Sequence, residues 1–163
     1  MDLLGTLLLF AVIIIFSVIL IGKLPDPVRN HYQKKDRFLT AAEHSFYKVL
    51  MQSVGNNYVV FAQVRVADVI TPKKKINKQK WWKRFVKISS KHYDFVLCEP
   101  SNLKIMGAIE LDDRSHEKKE RKKRDLFLNA ASEGANLILL RIPVKKTYSV
   151  NDIKEKLKTL QRG

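Results

Sequence analysis

The chain has 163 residues, with 31 Lys and Arg against 16 Asp and Glu, for a formal net charge of +15. That length suits one domain with one core, and its single cysteine excludes an internal disulfide framework. So large a positive excess favours polyanionic partners, whether nucleic acid, RNA-rich particles or acidic lipid.

Residues Leu3 to Gly22 carry no charge and are dominated by Leu, Ile, Val and Phe. About 20 such residues at 1.5 Å each match a bilayer core of about 30 Å, so the run is expected to be a transmembrane anchor. A cleaved signal peptide fits less well, because Asp2 precedes the run without any Lys or Arg and no small-residue cleavage pattern follows. Lys23, Arg29, Lys34, Lys35 and Arg37 all lie after the run. By the positive-inside rule they place the rest of the chain in the cytoplasm, and a reducing compartment agrees with the lone Cys98. Asp2 is the sole charged residue before Lys23, so the remainder alone carries +16. The expected organisation is an anchor over residues 1–22, a linker over 23–37 and one globular domain over 38–163.

Thr40-Ala41-Ala42-Glu43 has capping-box spacing, and Ala42, Phe46, Val49, Leu50 and Val54 then recur on one helical face until Gly55-Asn56-Asn57 ends it. Tyr58 to Val66 predicts a strand, with Val60, Ala62, Val64 and Val66 alternating against Gln63 and Arg65. A basic insert follows, helical around Lys78 to Ile88. Tyr93 to Cys98 and Lys104 to Leu111 predict two further strands, joined as a hairpin by the turn-forming Glu99-Pro100-Ser101-Asn102. Glu117 to Glu133 predicts a helix with Gly134 at its C′ position. Asn136 to Ile142 is a continuous apolar run typical of a strand covered on both faces. Ser149 then caps a last helix carrying Ile153, Leu157 and Leu160 on one side. The alternation predicts an α/β fold, a mixed sheet flanked by helices.

Three carboxylates stand out. Glu110 and Asp112 are two residues apart on a predicted strand, so both project from one face. Asp94 lies near the start of the neighbouring strand, where a hairpin brings it close to Glu110. Acids gathered in so basic a chain repel one another, and a hard, oxygen-seeking cation such as Mg²⁺, with Mn²⁺ as a substitute, compensates them. The plainer alternative is structural: Asp112, Asp113 and Ser115 precede a helix as ordinary caps, and Asp94 pairs with Arg141 or another basic neighbour.

The order of elements resembles the αβββαβ core of the PD-(D/E)XK, or restriction-endonuclease-like, superfamily. More closely, His92-Tyr93-Asp94-Phe95-Val96-Leu97-Cys98, Ile109-Glu110-Leu111-Asp112-Asp113-Arg114-Ser115-His116, Arg124-Asp125 and Leu139-Leu140-Arg141-Ile142-Pro143 together resemble the bacterial domain of unknown function 2726. That family is itself similar to very-short-patch-repair nucleases. The resemblance spans about residues 38 to 148. It implies a restriction-endonuclease-like core, which would follow the expected transmembrane helix and so lie at a bacterial inner membrane. It also implies that Asp94 is the first metal-binding aspartate and Glu110 the acid of the (D/E)XK half-motif. Glu43 matches a position from which some members add another acid, and His116 matches a histidine found after E-x-D in the patch-repair-like branch. Asp112 stands where the motif has lysine, a departure that leaves it as an extra metal ligand or a base for water. If active, the implied site is a catalytic set of Asp94, Glu110, Asp112 and His116, with His116 protonating the leaving oxygen or, equally, capping a helix.

Between Val69 and Lys91 there are nine Lys or Arg and no acid, with Trp81 and Trp82 inside the run. Lysines that neutralise phosphates release counterions, and indoles offer faces to unpaired bases. Lys78, Trp81, Trp82, Lys83, Arg84 and Lys87 are therefore candidate nucleic-acid contacts, although a charge run alone is more often a solvated face. A second cluster around Arg121 and Arg124 follows the acids and is placed to hold the scissile strand. The first functional expectation is a membrane-tethered, Mg²⁺-dependent nuclease acting on nucleic acid, DNA ahead of RNA. The second is a catalytically silent module of the same fold holding nucleic acid or a protein, and the third a basic adaptor at the lipid surface.

Overall fold

The computed structural model describes residues 3–22, 31–112 and 119–161, without the side chains of residues 20–22, 119–121 and 161. Residues 23–30, most of the expected linker, and the position of His116 lie outside the described residues.

Helix α1 spans Leu3–Gly22, and its large apolar side chains, among them Leu4, Phe10 and Phe16, are exposed. Among the described residues, no helix is long and apolar enough to cross a membrane. That finding overturns the expected transmembrane anchor and, with it, the single-pass inner-membrane placement. Helix α1 is an apolar helix, and no more is assigned to it.

Leu39–Gly163 forms a compact unit by itself. Helix α2 (Ala41–Val54) begins with the expected capping box: Glu43 N donates to Thr40 Oγ1 at 3.3 Å and Thr40 N donates to Glu43 Oε2 at 2.7 Å. It ends at Gly55, whose φ of 52° and ψ of −128° suit glycine alone. Strand β1 (Val59–Arg65) runs into a short helix, α3 (Val66–Val69), and then α4 (Lys78–Ser89). Strands β2 (His92–Cys98) and β3 (Ile105–Asp112) form the hairpin. Helix α5 (Lys119–Gly134) crosses over to β4 (Leu139–Pro143), and α6 (Val150–Leu157), capped by Ser149, runs into a 3-10 turn at Lys158–Gln161.

The chain is thus a mixed α/β structure whose four strands lie in the order β1-β2-β3-β4. Strands β1, β2 and β3 pair antiparallel, while β4 joins β3 in parallel, which is why a helical crossover separates them. One face packs on α2 and α6 through Phe46, Leu50, Phe95, Ile109, Ile153 and Leu157. The other packs on α3, α4 and α5 through Val66, Ile88, Tyr93, Val96 and Leu128. Each fully buried side chain of this size stabilises the fold by about 1.5–3 kcal/mol.

Three local features depart from the sequence reading. The expected run of Val60, Ala62, Val64 and Val66 along one face is broken: Val60 and Ala62 join the α2–α6 cluster, whereas Val64 and Val66 join the opposite one. The same break occurs in β2, where Phe95 and Leu97 face α2 but Tyr93 faces α5. Strict alternation would keep each set together. The switch falls at Gln63, which has a positive φ of 54° and lies opposite Asp94, between the pairs Ala62–Phe95 and Val64–Tyr93. Second, Val66 turns into α3 instead of continuing the strand. Third, Gly134 is the last helical residue of α5, and Asn136 (φ 55°) takes the left-handed position expected of it. Asn136 N donates to Glu133 O and Leu137 N to Ser132 O, the paired bonds of a Schellman ending.

Gly107 on β3 is fixed by close approach. A Cβ there would lie 2.5 Å from Leu160 Cδ2 and 2.9 Å from Ile138 O, and that carbonyl already accepts a hydrogen bond from Ala108 N. Gly107→Ala is therefore expected to destabilise the chain by about 1–3 kcal/mol, read as a lower urea midpoint at unchanged slope.

Candidate active site

The switch at Gln63 and Asp94 leaves Asp94 between the two faces of the sheet. Its Oδ2 accepts from Leu111 N on β3 at 2.7 Å, which fixes it beside the Glu110–Leu111 peptide. Burial raises its pKa, against the Leu111 hydrogen bond, and the charges of Glu43 and Asp112 raise it further. Glu43 from α2 and Asp112 from β3 are therefore electrostatic neighbours of Asp94, although they lie on different elements.

Glu110 is 1% exposed, and its Oε1 has no hydrogen-bond partner among the described residues. Its Oε2 lies 3.7 Å from Arg124 Nη2 on α5. Burial and then the charge of Asp94 push its pKa up to about 8, against the opposing pull of Arg124, Arg141 and the Asp94 backbone. A buried, unpartnered carboxylate oxygen is costly, and it is the polar atom of this site that most needs a ligand. Behind it, Tyr93 Oη and Ser132 Oγ share a buried hydrogen bond of 2.7 Å that ties β2 to α5. The Tyr93 pKa is raised by burial and, more weakly, by Glu110.

Asp112 has a different partner. The parallel register sets Glu110 beside Arg141, and Arg141 Nη1 reaches Asp112 Oδ1 at 2.5 Å. The guanidinium is held in place by Asn129 Oδ1 (2.8 Å from Nε), the Asp125 carbonyl (3.3 Å from Nη2) and the Asp125 carboxylate (3.5 Å). Arg141 therefore pairs with Asp112 and not with Asp94. Glu43 completes the set: besides capping α2 it accepts from Gln63 Nε2 at 2.9 Å.

The structure thus brings together Glu43, Asp94, Glu110 and Asp112, with Arg124 and Arg141 beside them. Among the described residues no three His, Cys, Asp or Glu form a ready-made metal cluster. The donor chemistry nonetheless fits Mg²⁺, which typically uses one or two protein carboxylates and keeps the rest of its shell for water and phosphate. Asp94 and Glu110 are the two carboxylates so placed. His116 lies outside the described residues, as does the side chain of Arg121. Lys78, Trp81, Trp82, Lys83, Arg84 and Lys87 all lie on α4, packed against the same sheet face as α5.

A family model described as a protein of unknown function, DUF2726, matches residues 35–160. The chain belongs to the DUF2726 family. No curated protein and no solved structure matches it. The match covers the DUF2726 domain from just before α2 to the last 3-10 turn, so every carboxylate and arginine of the site lies inside it.

Sequence reasoning named Arg141 only as a possible partner of Asp94 and did not mark Gln63 as a site residue. Arg141 has a signal, a lone charge within an apolar strand, but its partner depends on the parallel register. Gln63 has none, because its role follows from backbone conformation. The raised pKa of Glu110 has a thermodynamic consequence in this DUF2726 domain. Between its ordinary 4.5 and about 8, the folded state holds a proton that the unfolded chain has lost. Stability in EDTA should therefore fall as pH rises through that window, with Asp94 acting in the same direction. The melting temperature of Glu110→Gln should fall less between about pH 5 and pH 8.5 than that of the parent; parallel profiles would contradict the assignment.

Proposed function

We propose that the DUF2726 domain is a divalent-cation-dependent nuclease of the restriction-endonuclease-like kind, hydrolysing phosphodiester bonds in nucleic acid, DNA ahead of RNA. The observation that carries this reading is Glu110: a buried carboxylate with one oxygen unpartnered, pressed against Asp94 in a chain of charge +15. The resemblance of the motif order to that of the PD-(D/E)XK superfamily and of very-short-patch-repair nucleases supports the same chemistry.

In this reading Asp94 and Glu110 hold the cation, and Glu43 acts on it through Gln63 and the field at Asp94. A cation so held supplies a more acidic bound water and neutralises charge on the phosphate in the transition state. Asp94 is positioned by the Leu111 amide, which fixes the orientation of its carboxylate. The motif lysine is missing, and Arg124 and Arg141 stand in its place as sources of positive charge. Arg124, half-exposed and 3.7 Å from both Glu110 and Asp125, can turn to a phosphate oxygen. Arg141, held by Asn129 and Asp125, orients Asp112.

A second reading draws on one specific observation. Asp112 is already neutralised by Arg141, as suits a silent module of the same fold that holds nucleic acid without cutting it.

Incubating the full chain with plasmid and single-stranded DNA in Mg²⁺, Mn²⁺ or EDTA separates the two. The nuclease reading expects metal-dependent cutting that falls more than about 100-fold in Asp94→Asn and in Glu110→Gln, since losing a ligand exceeds the 10–100-fold typical of outer-shell losses. Salt-sensitive binding with no cutting in either metal would favour the silent module.

A further inference from the structure

Helix α4 carries both tryptophans of the chain. Asn77 caps it by accepting from Gln79 N at 2.8 Å, and the Trp81 indole N–H donates to Pro72 O at 3.2 Å, tying the helix to the preceding loop. Trp81 stacks on Phe85 with centroids 5.1 Å apart and planes 10° off parallel. Trp82 stacks on Phe85 at 5.6 Å and 26°. The three rings form a short stack, and its last member, Trp82, is 59% exposed beside an exposed Val86.

An ordered, outward-facing indole is not needed for the core, since α4 reaches that through Ile88. Its surroundings identify what it suits. Along the chain, Lys78, Lys80, Lys83, Arg84 and Lys87 share α4 with the stack, Lys73, Lys74 and Lys75 precede it, and no acid lies between Val69 and Lys91. A partner for this face must offer flat π surfaces and a regular series of negative charges together. Paired bases already stack on one another within a duplex, so the bases free to extend a protein's ring stack are unpaired ones. The location agrees: α4 packs in the same cluster as α5 and leads through Ser90 and Lys91 into β2, where Asp94 lies. Trp82 is about 10 Å along the helix axis from Ser89.

We propose that α4 is a stacking platform for single-stranded nucleic acid, with bases on the outer face of Trp82 and phosphates on the flanking lysines. The platform names the substrate class of the proposed nuclease and rests on that reading for the fate of the strand, but not for its binding.

Because both tryptophans lie on α4, selectively excited tryptophan fluorescence of the full chain reports this helix alone. The test is a titration in EDTA, where no metal-dependent cutting occurs, with a single-stranded oligonucleotide of about 12 nucleotides, its abasic counterpart, the matching duplex and anionic lipid vesicles. The platform predicts quenching by the single strand, weaker binding of the abasic strand and the duplex, and a loss of about 5- to 150-fold in single-strand affinity for Trp82→Ala. Trp82→Phe should restore most of that affinity, and neither variant should alter the melting temperature appreciably, because Trp82 is exposed. Equal affinity for the abasic strand, equal affinity for the duplex, or a response to vesicles with none to any oligonucleotide would overturn the proposal. Cutting by the parent chain without single-strand quenching would sink the platform and leave the nuclease. Quenching without any cutting in Mg²⁺ or Mn²⁺ would keep the platform and sink the nuclease.

Discussion

The site depends on the point where β1 and β2 change faces together. At Gln63 and Asp94 the side-chain alternation of both strands reverses, with Gln63 in a left-handed conformation that a residue with a Cβ seldom adopts. Were alternation kept, Asp94 would follow Val96 onto the α5 face and lie far from α2. The switch instead sets it where the charge of Glu43 reaches it and its own charge reaches Glu110. The hydrogen bond from Gln63 to Glu43 links the strained residue to the first turn of α2, so the strain, the helix cap and the acid cluster form one connected device.

From that arrangement follows an electrostatic problem. Burial raises the pKa of both Asp94 and Glu110, the charge of Asp94 raises that of Glu110 further, and the nearby arginines compensate incompletely. Arg141 is committed to Asp112, and Arg124 reaches Glu110 only from a half-exposed position, where solvent weakens the pair. A protein built for stability alone would have little reason to keep a buried carboxylate with an unpartnered oxygen. The chain's net charge of +15 favours polyanionic partners, and on the proposed reading a hard cation held by the two carboxylates would meet the phosphates of such a partner.

Much of this was legible from residues alone, because the relevant signals are local. The Thr40–Glu43 box, the Ser149 cap, the three-residue spacing of α2 and the Glu110–Asp112 pair each depend on neighbours within a turn or a strand, and they appear as expected. What escaped depends on long-range register or backbone conformation. Arg141 meets Asp112 across a parallel pair separated by a whole helix, and the reversal at Gln63 leaves no mark in hydrophobic pattern, since both faces of the sheet are covered. Asn136, not Gly134, takes the left-handed position at the end of α5, since asparagine tolerates that region better than most residues with a Cβ. The apolar run of α1 was read by length and composition, and among the described residues no helix meets the length and apolarity of a membrane span.

The central claim is that the buried Asp94–Glu110 pair is a divalent-cation site. Mn²⁺ binding to the full chain, followed through the electron paramagnetic resonance signal of the free ion, tests it without relying on cleavage. The account predicts saturable binding that Mg²⁺ competes away and that is lost in both Asp94→Asn and Glu110→Gln. Binding that survives both substitutions, or no binding at all by the well-folded parent chain, would contradict it.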